Sequence, residues 1–262
     1  MKSLEHVRHW HYALRNLAAK DFRIRYRNMA LGILWSVINP LVMLGVLTFI
    51  FSYVYPAAGV KFFPVFVLLG LVGFNLFSRC VTQGTVSVLE NAPLVKKVAF
   101  PRLLIPLSAV ISQLMDGLIM ICILAVLIVV FGVPVTWHYL WLPLIYLVEI
   151  AFILGVSLIT SALNVYYRDM RYLVESGLTI LFWLTPIFYP LSAIKNNLPS
   201  VVYYLYLVNP LAGCIHSTRL AVLEGKGPDP FAFGIAVGVT VATLLTGLIM
   251  FEVLQKKFAD RM

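Results

Sequence analysis

Six stretches of this chain are apolar for long enough to cross a lipid bilayer, at about 31–55, 63–83, 103–131, 139–164, 173–190 and 232–253. A hydrocarbon core about 30 Å thick is crossed by about 20 residues of helix rising about 1.5 Å each. The expected fold class is therefore an all-α polytopic membrane protein with six transmembrane helices. Composition leaves room for little else. Of 262 residues, 61% are hydrophobic and 12% charged, against about 45–50% and about 25% in soluble domains. The first run is longer than the core is thick, which predicts tilt or an interfacial start. The fifth is short and interrupted by Pro186 and Pro190, which marks it as the irregular one.

Six spans put both termini on one side, and the basic residues choose which. Sixteen of the 20 Lys and Arg fall in the N-terminal segment, near 79–102, at Arg168 and Arg171, and at the C-terminus, while Lys61, Lys195, Arg219 and Lys226 fall on the other face. The termini and the loops near 84–102 and 165–172 are thus expected in the cytoplasm. The net charge of +9 is mostly topology, and no nucleic acid need be invoked. Charges recur up to Arg27, so the N-terminus has no apolar core of the kind a cleavable signal needs. Cys80, Cys122 and Cys214 form no metal-ligand spacing and imply no disulfide framework.

Residues 1–28 form one expected unit and 29–262 the transmembrane domain. Within the first, Leu4, Val7, Trp10, Leu14, Leu17 and Ala18 recur at helical spacing opposite most of the charges, the pattern of an amphipathic helix lying in the cytoplasmic headgroup layer. The alternative is a solvated helix docked on a partner. Residues 191–231 are rich in Val, Leu and Tyr yet divided by Pro199, Pro210 and Pro228. They read as short re-entrant or interfacial helices on the outer side between spans 5 and 6, broken at Asn209–Pro210. An extra pair of tightly packed spans is the competing reading.

No GxxxxGK[ST] loop, HExxH, GxSxG or helix-opening GxGxxG occurs, so the chain is expected to have no ATP site, no catalytic residue and no metal. Ionisable groups at membrane depth are functional hypotheses by default. Asp116 lies mid-way along the third run, in line with Ser108 and Ser112. Glu149 lies in the fourth, followed by Ser157, Thr160, Ser161 and Asn164. These carboxylates form either a proton relay or interhelical hydrogen bonds and the lining of a hydrated path. A relay usually has a cationic or histidine partner, and with Arg79 counted on the cytoplasmic face the membrane interior is expected to offer none, which favours the second account. Aromatic residues crowd the outer ends of spans as interfacial belts do, but Trp35, Phe182 and Trp183 lie deeper and suit an apolar platform for sugar rings.

Four segments, in order and at matching spacing, carry a family resemblance: Arg25 to Trp35 with Asn39–Pro40, Asn91 to Arg102, Tyr166 to Tyr172, and Pro186 to Pro190 with Asn209–Pro210. Over nearly its whole length the chain resembles the permease subunits of type-2 ABC exporters of lipid-linked polysaccharide. The resemblance implies a homodimer with two copies of a separate ATPase subunit, which would hold the ATP and Mg. It also implies residence in the bacterial inner membrane with cytoplasmic termini. The coupling segment would be Ser87 to Lys97, with Leu89, Glu90, Asn91, Leu94, Lys96 and Lys97 as contacts, alternating apolar and charged as a helix-in-groove contact does. Arg168 and Asp169 would add a secondary contact, an internal salt bridge or a helix cap.

By the same resemblance, helices after Pro190 would gate the outer end. The substrate would be a glycan on undecaprenyl diphosphate, O-antigen foremost, threaded along a path holding Trp35, Phe182, Trp183, Tyr189, Asp116 and Glu149. Lys20, Arg25 and Arg27, at the cytoplasmic entrance, would attract the carrier diphosphate or anionic membrane lipids. Two other classes stay open: an ion-coupled secondary transporter using Asp116 and Glu149, and, within the family, an exporter of drugs or small lipids. A membrane-embedded glycan enzyme is disfavoured by the lack of a clustered cytoplasmic carboxylate set.

Overall fold

A backbone surrounded by hydrocarbon has to satisfy its own N–H and C=O groups, and the described residues do so by forming helix after helix. The computed structural model of the chain describes residues 12, 14–23, 34–50, 61–97 and 100–262, with no strand among them. In chain order the helices are α1 (residues 14–23), α2 (Leu34–Phe49), α3 (Phe63–Glu90), α4 (Ala92–Lys97), α5 (Leu104–Val130), α6 (Leu142–Tyr166), α7 (Met170–Leu184), α8 (Leu191–Asn197), α9 (Ser200–Val208), α10 (Pro210–Arg219), α11 (Pro230–Leu254) and α12 (Phe258–Arg261). A 3₁₀ turn, Trp137–Trp141, leads into α6, and a π turn, Leu220–Glu224, extends α10.

Among the described residues, four helical stretches are long and apolar enough to cross a membrane: Phe63–Glu90, Leu104–Val130, Trp137–Tyr166 and Pro230–Lys257. Helix α7, with 15 residues, reaches about 22 Å at about 1.5 Å per residue, and the described part of α2 has 16 residues. Helix α3 is the hub, packed against α2, α5, α6, α7 and α10. Leu68, Leu69, Leu71 and Val72 on it are at most 2% exposed. By contrast, α5 and α11 present Leu118, Val126, Val129, Val241, Leu245 and Ile249 outward, as helices facing lipid do.

Helices α6 and α11 approach most closely at a glycine pair. A Cβ on Gly247 would lie 2.6 Å from the Gly155 carbonyl oxygen, and one on Gly155 would lie 2.8 Å from Leu244 N. Only residues without side chains permit such a backbone contact, the small-residue packing that holds helices together where the hydrophobic effect cannot. Between α3 and α6, the Thr85 hydroxyl shares a 2.8 Å hydrogen bond with Thr160, and Asn164 Nδ2 donates to the Thr85 carbonyl at 3.0 Å.

Helix α7 ends at Leu184, and a non-helical stretch, Thr185 to Pro190, follows. Beyond it, α8 and α9 pack Leu191, Ile194 and Leu207 against Ala232 of α11. Asn209 caps α10 by accepting from Leu211 N–H at 3.1 Å, and its Nδ2 donates to Thr185 Oγ1 at 3.1 Å. Helix α10 then lies against α3, α6 and α11. Gly225, at φ 60°, reverses the chain, a left-handed geometry that glycine adopts without penalty.

Candidate functional site

Between Val65 and Val88, only six residues of α3 are not fully buried: Asn75, Ser78, Arg79, Thr82, Gln83 and Val86. Their spacing of i, i+3, i+4, i+7, i+8 and i+11 puts all six on one face, and five are polar. On one side of this face a cleft of about 300 Å³ is lined by Phe74, Ser78 and Thr82 with Glu175, Thr179 and Phe182 of α7. On the other side, a second cleft of about 300 Å³ is lined by Ser78, Arg79, Thr82 and Gln83 with Gln113 and Asp116 of α5. Ser78 and Thr82 form the ridge between them. A guanidinium, two carboxylates and a row of amides and hydroxyls are too costly to turn toward hydrocarbon. This face meets water, another protein surface or a polar ligand.

The end of the first cleft nearest the Thr185–Pro190 stretch is aromatic. The Phe182 ring packs edge-on against Phe74 at 5.1 Å and against Trp183 and Phe188 at 5.4 Å. The Tyr189 hydroxyl lies 3.3 Å from the Trp183 carbonyl, to which it donates, and 3.4 Å from the Tyr206 hydroxyl of α9. Thus Phe182, Trp183 and Tyr189 come together, and Asp116 faces the neighbouring cleft across the Ser78–Thr82 ridge. Trp35 belongs to α2, but its side chain lies outside the described residues.

Glu149 faces elsewhere. It is 2% exposed, its Oε1 makes no hydrogen bond among the described residues, and its carboxyl fits where Gly73 lacks a side chain, 3.3 Å from where a Cβ would be. Cys214 of α10 is its neighbour on the far side. Glu149 therefore packs between α3, α6 and α10, on a different face of α3 from Asp116.

The expectation of an interior without cations is corrected by two arginines. Arg79 is counted with the cytoplasmic loops by its proximity to them in sequence, yet α3 continues to Glu90. Arg79 therefore lies about 16 Å inside the C-terminal end of that helix, beside Asp116 in the second cleft. Arg219, counted as an outer-loop cation, ends α10 and is 5% exposed. Its guanidinium donates to the carbonyls of Phe66 at 3.1 and 3.2 Å, Pro186 at 2.6 Å, Ile187 at 2.6 Å and Tyr189 at 3.4 Å. It also stacks 3.5 Å from the centroid of the Phe66 ring. No carboxylate pairs with it among the described residues. Sequence reasoning misses Arg219 altogether, and with it Asn75, Ser78, Thr82 and Gln83.

At the C-terminal end of α3, Asn91 is a junction. Its Oδ1 accepts from Lys20 Nζ of α1 at 2.8 Å, its Nδ2 donates to the Ser87 carbonyl at 2.9 Å, and its own carbonyl accepts from Leu94 and Val95 N–H. Val95 and Val88 pack with Phe251 and Phe258, and Leu89 lies against that cluster, so α4 is held from behind by the C-terminal helices. Glu90, exposed, accepts from Gln83 Nε2 at 2.9 Å. Leu94 is half-buried and Lys96 exposed, while the Lys97 side chain lies outside the described residues. Arg168 and Asp169 are exposed on the α6–α7 turn with neither an ion pair nor a side-chain cap among the described residues. Arg171 pairs with Glu175 at 3.0 Å, and Glu90 is within its electrostatic reach. The C-terminal end of α3 and the first turn of α7 thus lie near one another.

Of the three basic residues assigned to the entrance, Lys20 is the one described, and it is bonded to Asn91; Arg25 and Arg27 lie outside the described residues. Helix α1 and α5 enclose a cavity of about 470 Å³, lined by Leu14, Ala18, Phe22, Ile111 and Met115 and rimmed by Arg15 and Arg23.

Comparison with known proteins draws these features together. Residues 12–223 match the family described as ABC-2 type transporter. The chain is 34% identical over 245 residues to the O-antigen export system permease protein RfbA of Klebsiella pneumoniae, covering 92% of this chain and 91% of that protein. It is 30% identical over 245 residues to the RfbA of Myxococcus xanthus, covering 94% and 93%. To the polysialic acid transport protein KpsM of Escherichia coli it is 25% identical over 246 residues, covering 90% and 91%.

Proposed function

The chain belongs to the ABC-2 type transporter family, and we propose that it is the channel-forming permease of an ATP-driven exporter of undecaprenyl-diphosphate-linked polysaccharide, O-antigen foremost. The observation that carries this reading is the open face of α3, polar in five of six positions within an otherwise apolar helix bundle. Two protomers meeting around this face enclose a continuous channel, which a long polymer needs in place of a closed pocket. Amides and hydroxyls of Asn75, Ser78, Thr82, Gln83 and Gln113 hydrogen-bond passing hydroxyls. Phe74 and Phe182, continued outward by Trp183 and Tyr189, offer faces for sugar rings. Relatives named for O-antigen and polysialic acid favour a glycan over a drug or a small lipid.

In this proposal α2 and α7 count as spans with the four long helices, both termini are cytoplasmic, and the membrane is the bacterial inner membrane. Helices α8 to α10 form the outer gate, with α10 re-entrant. The α4 segment, from Leu89 to Lys97, docks a separate ATPase subunit that holds ATP and Mg, with Arg168 and Asp169 beside it. Two permeases pair with two ATPases. Helix α1 lies in the headgroup layer, where Arg15 and Arg23, with Lys20, Arg25 and Arg27, meet anionic lipid or the carrier diphosphate. Separation of Asp116 and Glu149 on different faces of α3 speaks against an ion relay through the pair.

The test is reconstitution of the chain with its ATPase in vesicles. Carrier-linked glycan should stimulate ATP hydrolysis, and Ser78→Trp with Thr82→Trp should abolish export while leaving ATPase association intact. Glycan movement driven by a pH gradient without ATP, or full export by the double tryptophan variant, would overturn the reading.

A further inference from the structure

Irregular backbone at membrane depth has to find donors for its carbonyls. The Thr185 to Pro190 stretch has this difficulty in acute form, because α7 has ended and neither Pro186 nor Pro190 carries an N–H. Its carbonyls at Pro186, Ile187 and Tyr189 are taken up by one side chain, Arg219, which also reaches the Phe66 carbonyl of α3. Arginine alone among side chains offers five donors in a fixed planar fork. The Phe66 ring covers the guanidinium. Gly70 completes the cage, since a Cβ there would lie 2.8 Å from Arg219 Nη2 and 3.1 Å from Ile187 Cα.

The absence of a carboxylate among these partners is decisive. A buried charge held by an acid would stay compensated wherever the loop went. Arg219 is compensated only by carbonyl dipoles, three of which belong to the loop itself. When the 185–190 stretch moves away from α3, the cation loses those three partners and the carbonyls lose their donor, so both have to be hydrated together. The same stretch carries Phe188 and Tyr189, which seat against Phe182, Trp183 and Tyr206. Displacing the loop therefore dismantles the aromatic end of the first cleft.

We propose that Arg219 is the positioning residue that keeps the outer aromatic gate shut, clamping the 185–190 loop to α3 at Gly70, and that opening proceeds by wetting this clamp. The proposal rests on the exporter reading for the meaning of "gate" but not for its test. The experiment uses the permease–ATPase complex in vesicles without ATP. A cysteine at Phe188, 6% exposed, is titrated with a membrane-impermeant maleimide in backgrounds carrying Arg219, Arg219→Gln, Arg219→Lys or Gly70→Ala. Buried Cys80, remote in the α3–α5 contact, reports the integrity of the fold.

Labelling at position 188 should rise at least tenfold in Arg219→Gln and in Gly70→Ala, and less in Arg219→Lys, while Cys80 stays protected. General destabilisation would expose both thiols together and would overturn the proposal, as would unchanged labelling in the folded variants. If Arg219→Gln does not assemble, Gly70→Ala decides, because it displaces the clamp while leaving every polar group in place. Failure of carrier-linked glycan to stimulate the wild-type ATPase would remove the exporter reading alone, since the thiol measurement needs neither glycan nor ATP.

Discussion

The contact between α6 and α11 makes a prediction whose size follows from the geometry. At Gly247 a new Cβ would stand 2.6 Å from the Gly155 carbonyl oxygen, where an ordinary contact is 3.4–4 Å. The obstacle is backbone, which cannot rotate aside, so Gly247→Ala has to push the helices apart by about 0.8 Å over that spot. Overpacking of this kind costs about 1–3 kcal/mol. Alanine also favours helix over glycine by about 0.5–1 kcal/mol, and this opposing gain would mask part of the effect in a comparison with wild type.

The same helix supplies the control. Gly234 and Gly238 of α11 have nothing within 4 Å of a new Cβ, so alanine there brings the helix gain alone. The difference between Gly247→Ala and Gly238→Ala isolates the overpacking cost. At about 2–4 °C per kcal/mol, thermal unfolding in one detergent should separate the two variants by roughly 2–12 °C, with Gly238→Ala at or above wild type. Gly155→Ala should behave like Gly247→Ala. The double variant should lose less than the two single losses together, because helices already separated for one methyl admit the second cheaply. If Gly247→Ala melts within error of Gly238→Ala, the close approach of α6 and α11 is wrong.

Three further outcomes follow from named contacts. Asn164→Ala removes the bond to the Thr85 carbonyl and should destabilise by about 0.6 kcal/mol, at most about 1.7 kcal/mol, read by the same melts. Asn209→Ala removes both the α10 cap and the bond to Thr185 Oγ1 and should cost about 0.5–2 kcal/mol, whereas Asn209→Asp should keep the cap share of that. Lys20→Ala breaks a single side-chain bond to Asn91 worth about 0.5–1.5 kcal/mol. It should lower glycan exported per ATP by roughly two- to tenfold without changing ATPase association, measured in reconstituted vesicles.

The all-helical, membrane-embedded character is legible in the sequence because hydrocarbon imposes one demand on every residue of a span at once, and runs of about 20 apolar residues satisfy few other requirements. The aromatic group is legible for a related reason: Phe182, Trp183 and Tyr189 are near neighbours in sequence and come together without long-range information. The polar face of α3 is written at helical spacing, like the Ser108, Ser112 and Asp116 row. The expected span, 63–83, already contains Asn75, Ser78, Arg79, Thr82 and Gln83, but counting Arg79 with the cytoplasmic charges takes it out of the face it belongs to. Arg219 is hidden more deeply. Its partners are backbone carbonyls, Phe66 being 153 residues away, and a carbonyl carries no residue identity. Only Gly70 records the clamp, and glycine is common in membrane helices wherever two backbones pack closely, so its presence does not single out an arginine. Glu149 stands out as an intramembrane acid, but which face of α3 it meets is decided by Gly73 and Cys214 on two other helices.

One helix connects the parts of the proposed cycle. Helix α3 runs unbroken for 28 residues, about 42 Å at about 1.5 Å per residue. At its C-terminal end Glu90 and the following Asn91 meet α4, the proposed coupling segment, and Lys20. Its middle presents the polar face, and near its N-terminal end Phe66 and Gly70 hold Arg219 and the loop. Because the helix is packed on nearly every side except the polar face, it bends little and transmits displacement as a rigid body. A push on α4 from an ATPase therefore has a route to the outer clamp that needs no chain of side-chain rearrangements. A shift of α3 by even 1 Å would lengthen hydrogen bonds of 3.1 and 3.2 Å at Phe66 past the limit at which they count as bonds. That shift draws the Phe66 carbonyl away from the guanidinium and leaves the three loop carbonyls as its remaining compensation; the α3 side of the clamp gives way first, and the loop's own departure from α3 then strips those three as water enters beside Gly70.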